Sequence, residues 1–239
     1  MLLHDFMARH GRVVLQFSAG KDSAACLKLL RPWIDKVIVL WCNQGAPYKE
    51  TLEYMDKIKE SVPCFIEVKG NQPEFIVTHG YPADLVPFEG TELGSVAANA
   101  PYLISSIQDC CGTNLWTVLA KATLESGATG VIRGERQVDR LKSIIGPQSI
   151  HLDQEYLCPL YAWSEDDVIS FLDVDIPESY KRGLQSSLDC TTCTAYLGHN
   201  PGRISDLQVA DPKAFAEVVP VLLWLKEITI ASLSNFSKV

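Results

Sequence analysis

A run of mostly apolar residues, Arg12-Val-Val-Leu-Gln-Phe17, passes without a break into Ser18-Ala-Gly-Lys-Asp-Ser23, and a helical pattern over about 22–30 follows at once. A short, continuous β-branched run reads as a buried strand. A buried strand that hands over directly to a helix belongs to a parallel sheet, whose crossovers are helical. The alternation recurs. Lys36–Trp41 is a second strand, and the helix after it carries Leu52, Met55 and Ile58 on one face. Phe65–Val68 is a third strand and Gly130–Arg133 a fourth. A helix is expected over 114–126, with Leu115, Val118, Leu119 and Ala122, and a shorter one through Leu172 opened by the capping box Ser164-Glu-Asp-Asp167. Residues 71–101 are rich in Gly and Pro and show no period, so they read as a long functional loop. Residues 177–200 read as irregular, and a helical pattern with Phe215, Val218, Val219, Leu222 and Leu223 returns from Asp211. The expected fold class is α/β: a parallel sheet with helices on both faces, plus a C-terminal helical segment. The expected division is a main domain over 1–200 and a helical extension over 201–239.

Of the 239 residues 47% are apolar, enough for one sizeable core. The net charge of −8 disfavours a protein that coats nucleic acid through a broad basic face. Eight cysteines are too sparse for a disulfide scaffold. Met1-Leu-Leu is broken at once by His4 and Asp5, and the longest apolar run, Val218–Leu225, is too short to cross a bilayer. A reducing cytoplasm and no membrane partner are therefore expected, and there paired cysteines more often bind metal or do redox work than form bridges.

The segment Ser18–Ser23 suits an anion. A helix start offers free N–H groups and the positive end of its dipole, Gly20 allows close approach, Lys21 adds charge, and Ser18 and Ser23 add hydroxyls. The plain alternative is a tight turn with solvated polar residues. Arg133, Arg136 and Arg140 fall within eight residues of an acidic chain, and guanidinium forks match phosphate oxygens. Their plain alternative is a surface turn paired to Glu135 and Asp139. Cys190-Thr-Thr-Cys193 has a metal-ligand spacing, since one turn aims both sulfurs at one centre, while Cys110 and Cys111 point about 100° apart on a helix and could equally pack as small hydrophobes.

Taken together these motifs resemble the adenylyl-sulfate and phosphoadenylyl-sulfate reductase-like family of the pyrophosphatase-loop superfamily. Ser18-Ala-Gly-Lys-Asp-Ser23 is similar to its Ser-Gly-Gly-Lys-Asp-Ser signature, with Ala19 in place of a glycine. Trp41-Cys-Asn-Gln-Gly45 with Pro47-Tyr-Lys-Glu-Thr51 resembles its Asp-Thr-Gly…Phe-Pro-Glu-Thr stretch, and Arg133–Arg140 its Gly-x-Arg…Arg motif. Cys158-Pro-Leu-Tyr-Ala-Trp163 resembles its Pro-Leu-x-x-Trp segment, and Tyr180…Cys190-Thr-Thr-Cys193-Thr194 its Tyr…Cys-x-x-Cys-Thr. The motifs run in the family's order from Val13 to Thr194.

The resemblance implies a Rossmann-like, adenine nucleotide alpha hydrolase sheet. It implies a nucleotide, ATP or adenylyl sulfate, held by Ser18, Ala19, Gly20, Lys21, Asp22, Ser23, Asn43 and Gly45, with Mg²⁺, and it gives Lys21, Arg136 and Arg140 the catalytic charge. It implies a [4Fe-4S] cluster on Cys110, Cys111, Cys190 and Cys193, the ligand set of assimilatory adenylyl-sulfate reductases and of the DNA phosphorothioation enzymes related to them. A tetrahedral zinc would use the same four sulfurs. The family's reductases attack with a further cysteine in a C-terminal Glu-Cys-Gly-x-His tail, and no cysteine follows Cys193 in this sequence. The family's lysine just after the Cys-Cys pair is replaced by Asn114 and Leu115. The expected function is ATP pyrophosphatase-type activation of an acceptor for sulfur transfer, with a nucleic-acid acceptor reached through a partner protein and oligomers allowed. The alternatives are a reductase whose attacking thiol comes from Cys42, Cys158 or another protein, with a thioredoxin-like donor, and a nucleotide-dependent regulator without turnover.

Overall fold

A computed structural model of the chain describes residues 3–84, 101–139, 145–188, 190–198 and 200–234. Helix α1 (Leu3–Arg9) leads into strand β1 (Val13–Gln16), and β1 runs through the phosphate-loop segment into α2 (Lys21–Leu29). Strand β2 (Val37–Asn43), α3 (Lys49–Ser61) and β3 (Phe65–Lys69) complete the first half of the sheet. After α4 (Gln72–His79), the short strands β4 (Tyr81–Ala83) and β5 (Ile104–Ser106) pair with each other in parallel. Helix α5 (Ile107–Cys111) continues through one π-helical turn, Gly112–Trp116, into α6 (Thr117–Glu125). Strand β6 (Gly130–Ile132) and the hairpin β7 (Gln148–His151) and β8 (Gln154–Leu157) finish the main sheet. The remaining helices are α7 (Glu165–Leu172), the single turn α8 (Glu178–Lys181), α9 (Arg203–Ala210) and α10 (Pro212–Ser234).

The sheet has the order β3-β2-β1-β6-β8-β7, parallel throughout except for the antiparallel edge pair β7–β8. Side chains of a strand alternate between faces, and β1 shows it. Val13 and Leu15 face a core built with Ala25 and Leu27 of α2, Met55 and Ile58 of α3, and Val168 and Leu172 of α7. Val14 faces the other core, with Ile38, Leu40 and Ala128, against Leu119 and Ala122 of α6. Both faces of the sheet are thus covered, as a parallel sheet requires. The C-terminal helices pack elsewhere. Leu207, Ala214 and Val218 join Tyr48, Leu184 and Leu188, and Val221 and Leu225 cover Ala83 beside Ile104.

The structure departs from the sequence reading in several places: β4 lies inside the expected loop, and α8 lies inside the segment 177–200 expected to be irregular. Residues 72–79 form a helix inside the expected loop, capped where Asn71 Oδ1 accepts from the Glu74 N–H at 3.4 Å. Its period was hidden because only Gln72 and Phe75 are buried. The helix expected over 114–126 starts at Ile107, and its first turns are distorted. The β7–β8 hairpin went unread because β7 is a polar edge strand. Its two-residue turn uses Leu152 and Asp153 at φ 49° and 61°, without the usual glycine. No helix of the described residues is long and apolar enough to cross a membrane.

Candidate active site

The chain reverses its direction of travel across the sheet between β1 and β6: β1, β2 and β3 run one way from the centre, β6 and β8 the other. In an open parallel sheet the crevice at the carboxyl ends of such strands is where ligands bind. Here β1 delivers the segment Ser18–Ser23 and β6 delivers the arginine segment. Gly134 lets them touch: a Cβ there would lie 2.8 Å from the Asp22 carbonyl carbon and 2.9 Å from Ser23 N.

Helix α2 begins after Gly20 with no side chain capping it, so N–H groups of its first turn face the crevice. The loop is closed by Ser23 Oγ, which donates to the Gly20 carbonyl at 2.8 Å and accepts from the Ser18 N–H at 3.3 Å. Ala19 sits at φ 60°, the left-handed conformation that a glycine adopts freely and that costs another residue about 1–2 kcal/mol.

Two buried cations stand over this loop among three carboxylates. Lys21 Nζ lies 2.9 Å from Asp22 Oδ2 and 3.2 Å from Glu165 Oε2, and 5.2 Å from the centre of the Tyr180 ring. Arg136 Nη2 lies 2.8 Å from Glu165 Oε2 and 3.5 Å from Asp139 Oδ1. Its Nε is 2.9 Å from Asp22 Oδ1 but off the direction of a hydrogen bond, and its Nη1 has no hydrogen-bond partner among the described residues. Burial raises the Asp22 carboxyl above its ordinary value, against the pull of Lys21 and Arg136. Buried donors are normally satisfied, so the open N–H groups of Arg136, aimed at the start of α2, call for an anion. Arg133 turns away to Glu135 at 3.2 Å and the Ile145 carbonyl at 2.9 Å, the plain surface-turn arrangement. Arg140 lies outside the described residues.

The four cysteines line the same cleft of about 850 Å³ as Ser18, Gly20, Lys21, Asp22, Ser23 and Arg136. All four are buried. Cys111, Cys190 and Cys193 share one apolar cluster with Ile107 and Ala195. Burial, and then the neighbouring Cys193, push the Cys110 thiol up to about 12.

Asn114 holds the first pair. Its Nδ2 donates to the Cys110 carbonyl at 3.0 Å and its Oδ1 accepts from the Asn71 N–H at 2.8 Å. A Cβ on Gly70 would lie 2.2 Å from the Asn114 carbonyl oxygen, so the exit of β3 and the Cys-Cys segment touch backbone to backbone. The second pair is tied to the exit of β2 by the Thr191 N–H, which donates to the Ala46 carbonyl at 2.8 Å, and by a bridge between Pro47 and Cys190. Arg203, which also lines the cleft, binds this loop, donating to the carbonyls of Cys190 at 2.6 Å, Cys193 at 2.9 Å and Ala195 at 2.9 Å.

Among the described residues no group of His, Cys, Asp and Glu is drawn together tightly enough to hold a single metal ion. A tetrahedral zinc, with Zn–S of about 2.3 Å, needs its sulfurs about 3.8 Å apart. A four-iron cluster puts each thiolate on its own iron and accepts a wider set. Four buried thiols on one cleft wall fit that group.

Other expected residues are not brought to the cleft. Asn43 donates to Glu67 Oε1 at 2.9 Å and accepts from the Gly45 N–H at 3.0 Å, and neither residue lines it, although Gln44 between them does. Ala19 borders a smaller cavity of about 110 Å³ behind the loop. Cys42, whose thiol burial pushes up to about 11, donates to the Asn114 carbonyl at 3.3 Å. Neither Cys42 nor Cys158 lines the cleft. Residues the sequence did not mark include Gln16, Gln72, Glu165 and Arg203. Glu165 had a signal, the capping box that puts it in a first helical turn; the others are brought in by tertiary packing alone.

The chain is similar to known proteins. The phosphoadenosine phosphosulfate reductase domain matches residues 12–196. Adenosine 5′-phosphosulfate reductase 2 of Bacillus subtilis (strain 168) is 25% identical over 190 residues, which are 77% of this chain and 72% of that protein. Among solved structures, phosphoadenylyl-sulfate reductase from Candida auris, in a phosphate complex, aligns with a TM-score of 0.45 and 14% identity over 74% of this chain and 80% of its own. The U34-tRNA thiolase NcsA from Methanococcus maripaludis, with its [4Fe-4S] cluster, aligns with a TM-score of 0.46 and 16% identity over 90% of this chain and 72% of its own.

Proposed function

The chain belongs to the phosphoadenosine phosphosulfate reductase domain family, and from that premise we propose that it uses ATP to activate an acceptor for sulfur transfer within one cleft. The observation that carries the proposal is that a phosphate cradle and four thiols share that cleft, while none of the other four cysteines of the sequence lines it. A reductase needs an attacking thiolate, and a hydroxyl is a poor substitute near neutral pH. A reductase reading would therefore take its thiol from elsewhere, such as a thioredoxin-like protein; the Bacillus relative's name favours it.

The phosphates of ATP would sit on the open N–H groups of α2, between Lys21 and Arg136. Asp22, whose Oδ1 lacks a directed hydrogen bond, would hold a Mg²⁺ ion. An acceptor carbonyl oxygen attacks the α-phosphorus, the bond to the β-phosphate breaks, and pyrophosphate leaves while Lys21 and Arg136 stabilise the growing charge. Sulfide then attacks the activated carbon and AMP leaves with the oxygen, so one oxygen is exchanged for one sulfur without net redox. Bound by Cys110, Cys111, Cys190 and Cys193, a [4Fe-4S] cluster would supply a sulfur-carrying or electron-donating centre. A nucleic-acid acceptor would come through a partner protein, since the chain itself carries a net charge of −8.

The test is product identity. Anaerobically prepared protein, given ATP, Mg²⁺, sulfide and an unmodified tRNA pool, is expected to release pyrophosphate and AMP, and Lys21→Ala to abolish both. Sulfite release from adenylyl sulfate with thioredoxin, and no pyrophosphate from ATP, would establish the reductase reading instead.

A further inference from the structure

Two buried groups, Arg203 and Gln72, bind the loop that carries Cys190 and Cys193. Arg203 is 5% exposed, and among the described residues no carboxylate pairs with it. It donates to the three loop carbonyls, and the Tyr48 phenol and the Cys193 thiol lie close by. Gln72 is fully buried and lines the cleft. The Thr192 hydroxyl, from between Cys190 and Cys193, donates to Gln72 Oε1 at 2.7 Å, and Gln72 Nε2 has no hydrogen-bond partner among the described residues. A buried guanidinium without a carboxylate and a buried amino group without an acceptor are both costly to leave uncompensated. Both meet the one loop that presents Cys190 and Cys193.

We infer that Arg203 and Gln72 are the counter-charge and the hydrogen-bond donor of the thiolate site, facing the anionic sulfur that the four cysteines present when they hold a cluster. The inference rests on the cluster reading proposed above. Four thiolates on a [4Fe-4S] core carry roughly two negative charges, and charge and hydrogen bonds at the sulfurs set the reduction potential. Reduction adds one more negative charge, so a fixed cation and an N–H donor favour the reduced form. Thr192 fixes which end of the carboxamide faces inward, and the loop carbonyls fix the guanidinium plane. Arg203 is the first residue of α9, in the segment read from sequence as an appended extension, so that segment reaches into the site. Both act as positioning residues on the cluster's electronics; neither touches the acceptor.

The test is a redox titration, followed by visible and electron-paramagnetic spectra, of the full chain reconstituted anaerobically with iron and sulfide. Arg203→Met should lower the reduced-to-oxidised ratio at a given potential about tenfold, a shift of about 59 mV to more negative potential for one electron. Arg203→Lys, which keeps the charge, should recover most of that shift, and Gln72→Leu should move the potential the same way by less. A purely mechanical clamp would be broken by both Arg203 variants without this ordering. If Arg203→Met fails to hold a cluster, Arg203→Lys and Gln72→Leu decide. Wild-type potential in Gln72→Leu, with Arg203→Met either unshifted, matched by an equal shift in Arg203→Lys, or unable to hold a cluster, overturns the inference while leaving the cluster reading intact. A wild-type chain that takes up no iron and sulfide overturns both.

Discussion

In the proposed phosphate cradle, Glu165 occupies the place assigned to a phosphate. Its Oε2 lies 2.8 Å from Arg136 Nη2 and 3.2 Å from Lys21 Nζ, while its side chain is 51% exposed and the two cations are 5% and 4% exposed. A nucleotide must displace that carboxylate before its oxygens reach both donors. Charge-assisted hydrogen bonds contribute about 1.5–3 kcal/mol each where they are buried. A half-exposed partner reduces each toward the surface range of about 0.2–1 kcal/mol. Two such contacts amount to about 1–2 kcal/mol. Glu165→Gln keeps the shape and the first-turn position in α7 but removes the competing charge, so AMP or ADP without Mg²⁺ should bind about 5- to 30-fold more tightly. Titration calorimetry at low salt reads this directly, and the gain should shrink as added salt screens the half-exposed carboxylate. Equal or weaker affinity in the variant would show that Glu165 does not compete with phosphate, and that the cradle is not between Lys21 and Arg136.

Three further outcomes are expected. Gly70→Ala pushes a methyl against the Asn114 carbonyl oxygen, 2.2 Å from the ideal Cβ position. Overpacking of about 1–3 kcal/mol plus the loss of about one hydrogen bond should lower the urea midpoint and the iron retained per chain, with nucleotide affinity kept; unchanged iron retention would mean that this contact does not position Cys110 and Cys111. Burial raises the Glu155 carboxyl, but hydrogen bonds from Arg9 and His10 bring it net below 4.5. Its stabilisation is therefore complete above the unfolded carboxylate range and is lost as pH falls through the lower folded value. Glu155→Gln should flatten the loss of urea resistance between about pH 5 and pH 3, and a parallel loss in both proteins would remove Glu155 from that limb. Finally, Cys42, buried and raised to about 11, should react with iodoacetamide near neutral pH far more slowly than a free thiol. Rapid, stoichiometric alkylation at Cys42 in the folded protein would reopen its candidacy as a nucleophile.

The sheet was legible where burial is continuous. Val13–Leu15 and Val37–Cys42 are buried on both faces and read as apolar runs, and Ser164 with Asp167 announced α7 through a full capping box. The β7–β8 hairpin was not legible, because an edge strand has one solvated face and Gln148-Ser-Ile-His carries no alternation to detect. The same contrast holds in the site. Ser18–Ser23 and the two cysteine pairs are local patterns, so sequence could mark them. Arg203 and Gln72 are defined by what they lack, a carboxylate in one case and an acceptor in the other, and a missing partner becomes visible only when the fold has placed every neighbour. Ala19 lies between these cases: the signature marks a glycine there, and φ 60° shows why.

The topology explains why the proposed phosphate cradle and the two cysteine pairs meet in one cleft. The phosphate cradle hangs on the carboxyl end of β1, and Arg136 arrives from the carboxyl end of β6 beside it. The cysteine pairs are anchored to the next two strands: Thr191 to Ala46 just after β2, and Asn114 to Gly70 and Asn71 just after β3. A parallel sheet sends all these ends to the same edge, so neighbours in the sheet become neighbours in the cleft. Strand spacing, about 4.8 Å per strand, sets the separation of the points from which the cradle and the cysteine pairs hang. The cysteine pairs are held at those points by loop contacts, Thr191 to Ala46 and Asn114 to Gly70 and Asn71. Loosening either anchor should therefore disturb the cluster before it disturbs the nucleotide, which is the order of failure that Gly70→Ala is expected to show.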